Sequence, residues 1–97
     1  MIKHIVCFKL KNPSTESCEA ARDILLSMRG RVEQIRSINV GIDFLHSERS
    51  YDIILEVVLE DERALDEYQE HPYHVETVKT YMHSVREASV SIDYYLD

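Results

Sequence analysis

Two hydrophobic periods occur along this chain in an order that admits few folds. Ile2, His4, Val6, Phe8 and Leu10 alternate with Lys3, Ile5, Cys7 and Lys9, which predicts a first strand. Asn12-Pro13-Ser14-Thr15 supplies a turn with capping residues. Ala21, Ile24, Leu25, Met28, Val32 and Ile35 then mark one face of a long helix. Gly30 inside that stretch predicts a close packing contact or a kink, since glycine costs about 1 kcal/mol there relative to alanine. Ile38, Val40, Ile42 and Phe44 form a second alternating run, and Tyr51, Ile53, Leu55, Val57 and Leu59 a third. Asp61 is a suitable N-cap for a helix carrying Leu65 and Tyr68. Pro72 divides it from a helix carrying Val75, Val78 and Met82. Ala88, Val90, Ile92 and Tyr94 alternate with Ser89, Ser91, Asp93 and Tyr95 in a last strand. The order is β-α-β-β-α-β: one α+β domain over residues 1–97, with helices on one face of an antiparallel four-stranded sheet.

The opposite sheet face carries a second message. Ile5 and Cys7 sit at the centre of the first strand, and Ile54 and Val58 on the third, all on the side away from the predicted core. Apolar strand centres on both faces imply that both are covered, and the chain's own helices cover one. A second copy related by two-fold symmetry is the simplest cover, so a homodimer is expected.

Charge and cysteine usage bear on partners. Eleven Lys and Arg against eighteen Asp and Glu give a net charge of −7, which repels nucleic acid and anionic membrane surfaces. No apolar run approaches the ~20 residues that span a bilayer, and Met1 leads directly into a strand. Cys7 and Cys18 lack metal or redox spacing and read as reduced thiols, so a cytoplasmic location is expected. Cys7 has no activating neighbour in sequence and fits a small apolar side chain on the sheet.

Tyr68-Gln69-Glu70-His71-Pro72-Tyr73-His74 is where chemistry is expected. It gathers two imidazoles and two phenols around one proline-enforced break. His71 would cap the first helix and His74 would stand in the first turn of the next. A histidine held near neutrality suits acid–base work, while Tyr68 stands at core spacing from Leu65. Against this stands a structural role, with His71 as a cap and Tyr68 as core. His71 and His74, with Glu67 or Glu70, are also metal-ligand types. A proline between the histidines makes their side chains diverge, so no metal is expected. His4 shares a strand face with Val6 and Phe8. It is either a satisfied core histidine or a cavity-lining group.

Met1-Ile2-Lys3-His4-Ile5-Val6, Phe8-Lys9-Leu10-Lys11, Val40-Gly41-Ile42-Asp43-Phe44, Ser50-Tyr51-Asp52 and Tyr68-Gln69-x-His71-Pro72-x-His74 occur in an order that resembles the stress-responsive α/β-barrel domain family. The resemblance covers nearly the whole chain. It implies a ferredoxin-like fold that pairs into a dimeric α+β barrel. The family includes a plant polyketide cyclase that closes a ring by aldol condensation without metal or organic cofactor. By that resemblance His74 corresponds to its base, Tyr68 to its assisting phenol, and His4 to a pocket residue. His71 and Tyr51 are further ligand-binding candidates, and no cofactor is implied. Ile53 stands where the cyclase carries another pocket histidine, a departure that removes one polar contact.

Three functions follow as expectations. One is a homodimer that binds a small hydrophobic or carbonyl-containing molecule between sheet and helices. A second is a cofactor-independent enzyme of cyclase, lyase or monooxygenase type using His74 and Tyr68. The third is a dimerisation module alone. An enclosed pocket around His4, Tyr68 and His74 separates the first two from the third.

Overall fold

Strand alternation and helix capping place every expected element in a computed structural model of residues 1–97. The strands are β1 (Ile2–Leu10), β2 (Ser37–Ile42), β3 (Ile53–Leu59) and β4 (Arg86–Tyr95). The helices are α1 (Thr15–Leu26), α2 (Glu62–Glu70) and α3 (Thr80–Val85), and a π-helical segment (Tyr73–Lys79) runs into α3. The sheet order is β2-β3-β1-β4 with every neighbour antiparallel, which is the ferredoxin-like arrangement.

Ser14 opens α1 through a reciprocal cap. Its hydroxyl accepts the Ser17 N–H at 3.0 Å, and the Ser17 hydroxyl accepts the Ser14 N–H at 2.8 Å. Cys18, Ala21 and Leu25 form its buried face. Contrary to the expected long helix, α1 ends at Leu26. Successive turns carry the chain onward, with the Met28, Arg29 and Val32 N–H groups donating to the Leu25, Leu26 and Met28 carbonyls respectively. These turns keep the three- and four-residue spacing, so Met28 and Val32 still reach the core. Gly30 is neither a close contact nor a helix kink. Its φ is +81°, a left-handed turn position, and a Cβ there would meet nothing within 4 Å.

The alternation also overruns the hydrogen bonding at the β2–β3 connection. Pairing stops at Ile42 opposite Ile53, so Phe44 and Tyr51 lie outside the strands and Phe44 is exposed. The Asp43 carboxylate accepts the His46 N–H at 2.7 Å, and His46 takes a φ of +54°, which turns the chain away.

Asp61 caps α2 by accepting the Ala64 N–H at 2.8 Å. Pro72 ends the helix as expected, but the next turn is π-helical. That register leaves Val75 exposed while Val78 and Met82 enter the core.

Residues opposite one another in the ladders share a face. His4, Val6 and Phe8 of β1 lie with Leu55 and Val57 of β3, facing the helices and a core of 17 residues. On the outer face Ile5 pairs with Ile92, Cys7 with Val90 and Ile54, and Lys3 with Val58 and Tyr94. Strand β4 is inside out: its apolar Val90, Ile92 and Tyr94 point outward and are exposed, while Ser89, Ser91 and Asp93 point toward the helices.

Candidate functional site

That inversion leaves space under the helices. Small serines on β4 cannot fill the gap that a leucine or phenylalanine would occupy, and a cavity of about 320 Å³ results. Its apolar walls are Val6, Phe8, Leu25, Leu55, Val78 and Met82. Its polar lining comes from β1 (His4), from Tyr68, Gln69, His74, Lys79 and His83 of the helical region, and from Arg86, Ser89 and Ser91 of β4.

Three of the sequence candidates converge here. Tyr68 is fully buried, with the His4 ring edge-on at 5.6 Å between centroids and the His74 ring tilted against it at 4.7 Å. His4 is 6% exposed, and its Nδ1 lies 2.5 Å from Asp93 Oδ1 across the β1–β4 pair. A carboxylate can only accept, so Nδ1 carries the proton and Nε2 is the free nitrogen whenever the ring is neutral. The two readings of His4 coincide: Asp93 satisfies the ring, and the ring lines the cavity as well.

The Tyr68 hydroxyl is buried without a hydrogen-bond partner. Such an orphan costs about 1–3 kcal/mol. Burial drives its pKa far upward, so the phenol stays protonated and remains a donor.

His74 is half-buried, and its Nδ1–H donates to the Gln69 carbonyl at 3.3 Å. That carbonyl lies in the last turn of α2, where carbonyls lack helical partners. The bond fixes the tautomer and leaves Nε2 with its lone pair. Burial is the main influence on the ring and lowers its pKa. The Gln69 carbonyl raises it, and the positive charges of Lys79, His4 and His71 lower it further. His74 is therefore a neutral base at pH 7.

A lowered folded pKa has a defined sign. Above pH 6.5 the ring is neutral in folded and unfolded chains alike and contributes no pH slope. As pH falls through 6.5, the unfolded chain takes up a proton that the folded chain resists, so stability declines until the folded pKa is passed. NMR titration should place the His74 midpoint below the ordinary histidine value of about 6.5. His74→Gln should flatten the acid limb of a stability profile below pH 6.5. A His74 midpoint at or above that value would contradict the burial argument.

His71 and Tyr51 stand apart from the cavity. His71 caps α2 as expected, but its Nδ1 accepts the Tyr73 N–H at 3.1 Å and its Nε2 faces Glu33 at 3.3 Å. Both ring nitrogens are occupied by the fold. Tyr51 lies with Cys7 and Ile54 in a separate depression, under the Lys9 ammonium at 5.4 Å. No three His, Cys, Asp or Glu side chains gather as metal ligands. Burial pushes the Cys7 thiol pKa upward, with Glu56 adding to the effect.

Asp93, Lys79 and Arg86 were not among the sequence candidates. The polar row Ser89-x-Ser91-x-Asp93, on the side of β4 that ought to be core, was the available signal.

The chain belongs to the stress-responsive A/B barrel domain family, which it matches over residues 2–96. Among solved structures it is similar to a protein of Arabidopsis thaliana, at 25% identity and a TM-score of 0.86, covering 100% of this chain and 96% of that one. It is also similar to a dimeric protein of unknown function with a ferredoxin-like fold from Bacteroides fragilis, at 24% identity, a TM-score of 0.81 and coverage of 98% and 95%. A hydroxynitrile lyase from Passiflora edulis shares the fold at 13% identity, with a TM-score of 0.82 and coverage of 99% and 93%. No curated protein matches the chain. No helix is long and apolar enough to cross a membrane.

Proposed function

We propose that the protein is a homodimer in which each protomer binds a small carbonyl-containing molecule in the cavity between sheet and helices. The observation that carries this reading is the orphaned Tyr68 hydroxyl beside His74. A buried donor with no acceptor is destabilising in the empty protein and is satisfied by a carbonyl oxygen entering the cavity. The apolar walls take the remainder of such a ligand, and about 320 Å³ lies within the range of small-molecule sites. Homodimerisation is supported by the exposed apolar outer face and by the dimeric Bacteroides relative.

His74 supports a second reading, a cofactor-independent enzyme. A neutral imidazole with a free Nε2 can take a proton α to a bound carbonyl, and the Tyr68 hydroxyl can donate to the enolate oxygen that forms. In this reading His74 is the base, because its ring lies against Tyr68 with Nε2 free.

One experiment addresses both readings. Binding of 2-octanone, followed by amide shifts, should perturb residues around Tyr68 and His74. Tyr68→Phe should weaken binding about tenfold, equivalent to one hydrogen bond of ~1.4 kcal/mol, while making the empty protein no less stable. Deuterium incorporation α to the carbonyl in heavy water, lost in His74→Gln, would mark the enzyme. If neither 2-octanone nor other apolar ketones and aldehydes perturb the cavity, the dimerisation-module reading replaces both.

A further inference from the structure

The cavity carries a charge opposite to that of the chain. Asp and Glu outnumber Lys and Arg by 18 to 11, yet no carboxylate residue lines the cavity, while Lys79, His83 and Arg86 all do. The chain's ion pairs engage other groups, so neither Lys79 nor Arg86 has a carboxylate at ion-pair distance. Arg86 is half-buried, where an unmatched guanidinium attracts an anion more strongly than it would in open water. Its fork matches an oxyanion in two parallel hydrogen bonds, and Lys79 adds a point charge. The nearby Ser89 hydroxyl is a further donor.

Register separates Arg86 and Ser89 from the His4 end. Arg86 pairs with Leu10 and Ser89 with Phe8, whereas Asp93 pairs with His4. Those positions stand roughly 13–20 Å apart along β1 at about 3.3 Å per residue. The interval between them is lined by aliphatic side chains. We infer that the ligand is an amphiphile with an oxyanion at one end, held by Arg86 and Lys79, and its carbonyl directed to Tyr68 and His74. This deepens the carbonyl-binding reading and rests on it. Carboxylate and phosphate share the required chemistry.

The test compares octanoate, octyl phosphate and 2-octanone by calorimetry and amide shifts at low salt. The two anions are expected to bind at least tenfold more tightly than the ketone, and to weaken as salt is raised. The tighter of the two identifies the natural head group as carboxylate or phosphate. Arg86→Gln should weaken the anions five- to tenfold and change 2-octanone binding by less than twofold, and Lys79→Gln should weaken the anions by a similar factor. Lys79 is exposed, so its substitution leaves the fold intact and provides the control for Arg86. If 2-octanone binds and the anions bind no better, or if both substitutions leave anion affinity as it was, the inference is overturned and the carbonyl site stands. If none of the three probes binds, both fall.

Discussion

Ile92→Asp is expected to convert the protein into a folded monomer of 11.4 kDa. Ile92 lies opposite Ile5 on the outer sheet face, midway along the edge strand β4, with Val90 and Tyr94 beside it. In the isolated protomer Ile92 is 65% exposed, so an aspartate there meets water and disturbs the protomer by no more than about 0.5 kcal/mol. Face-to-face packing of two such sheets buries that position in both copies. A carboxylate left there without a partner costs at least ~2 kcal/mol, and two-fold symmetry incurs the cost twice. The combined ~4 kcal/mol raises the dissociation constant about a thousandfold, enough to move a micromolar dimer to a millimolar one. Sedimentation velocity should show monomer at micromolar concentration with an unchanged circular dichroism spectrum. A variant that remains dimeric would mean that the outer face is not the interface. Ile54→Asp is a less clean probe, because Ile54 is already half-buried and its Cγ2 lies 3.0 Å from where a Gly41 Cβ would stand.

The same outer face shows what could be read from residues alone. A period of two reports which side chains share a face, and that was enough to place Ile5, Cys7, Ile54 and Val58 on a surface needing cover. It does not report where backbone pairing stops. Phe44 and Tyr51 continue the alternation beyond the last β2–β3 pair, so the strands were expected to be longer than they are. A three-to-four spacing likewise fails to separate a helix from the string of turns that follows Leu26, since both carry Met28 and Val32 to the core. Within the site, His4 and Tyr68 were legible because each occupies a position whose period directs it inward, and His74 through the proline break and the family resemblance. Asp93 was not, because its contact with His4 depends on register between strands 89 residues apart in sequence. His71 was misleading for a related reason. Its type and neighbours are those of a site residue, but the cap conformation turns its ring toward Glu33 and the Tyr73 N–H.

Removal of residues 88–97 is expected to abolish cooperative folding. β4 contributes almost nothing to the buried core, and a count of core residues would therefore rank it as dispensable. Its contribution is the ladder. Eight of its nine register pairs with β1 are lost with residues 88–97, and at ~1 kcal/mol net per hydrogen bond they amount to several kcal/mol. A domain of this size has a total stability of about 5–15 kcal/mol, so the loss is of the same order as the whole. Two further effects act in the same direction. β1 becomes a bare edge strand, and its unpaired backbone groups invite aggregation. His4 loses Asp93, which leaves a buried imidazole without its acceptor. Asp93→Ala isolates that last effect. It removes the acceptor of the His4 N–H and leaves the ladder in place, so this variant should stay folded with a loss of about 1–3 kcal/mol. Thermal and urea melts of the two variants separate the contributions. A truncated chain that melts cooperatively within a few degrees of the full one would show that the β1–β4 ladder is not what holds the sheet together.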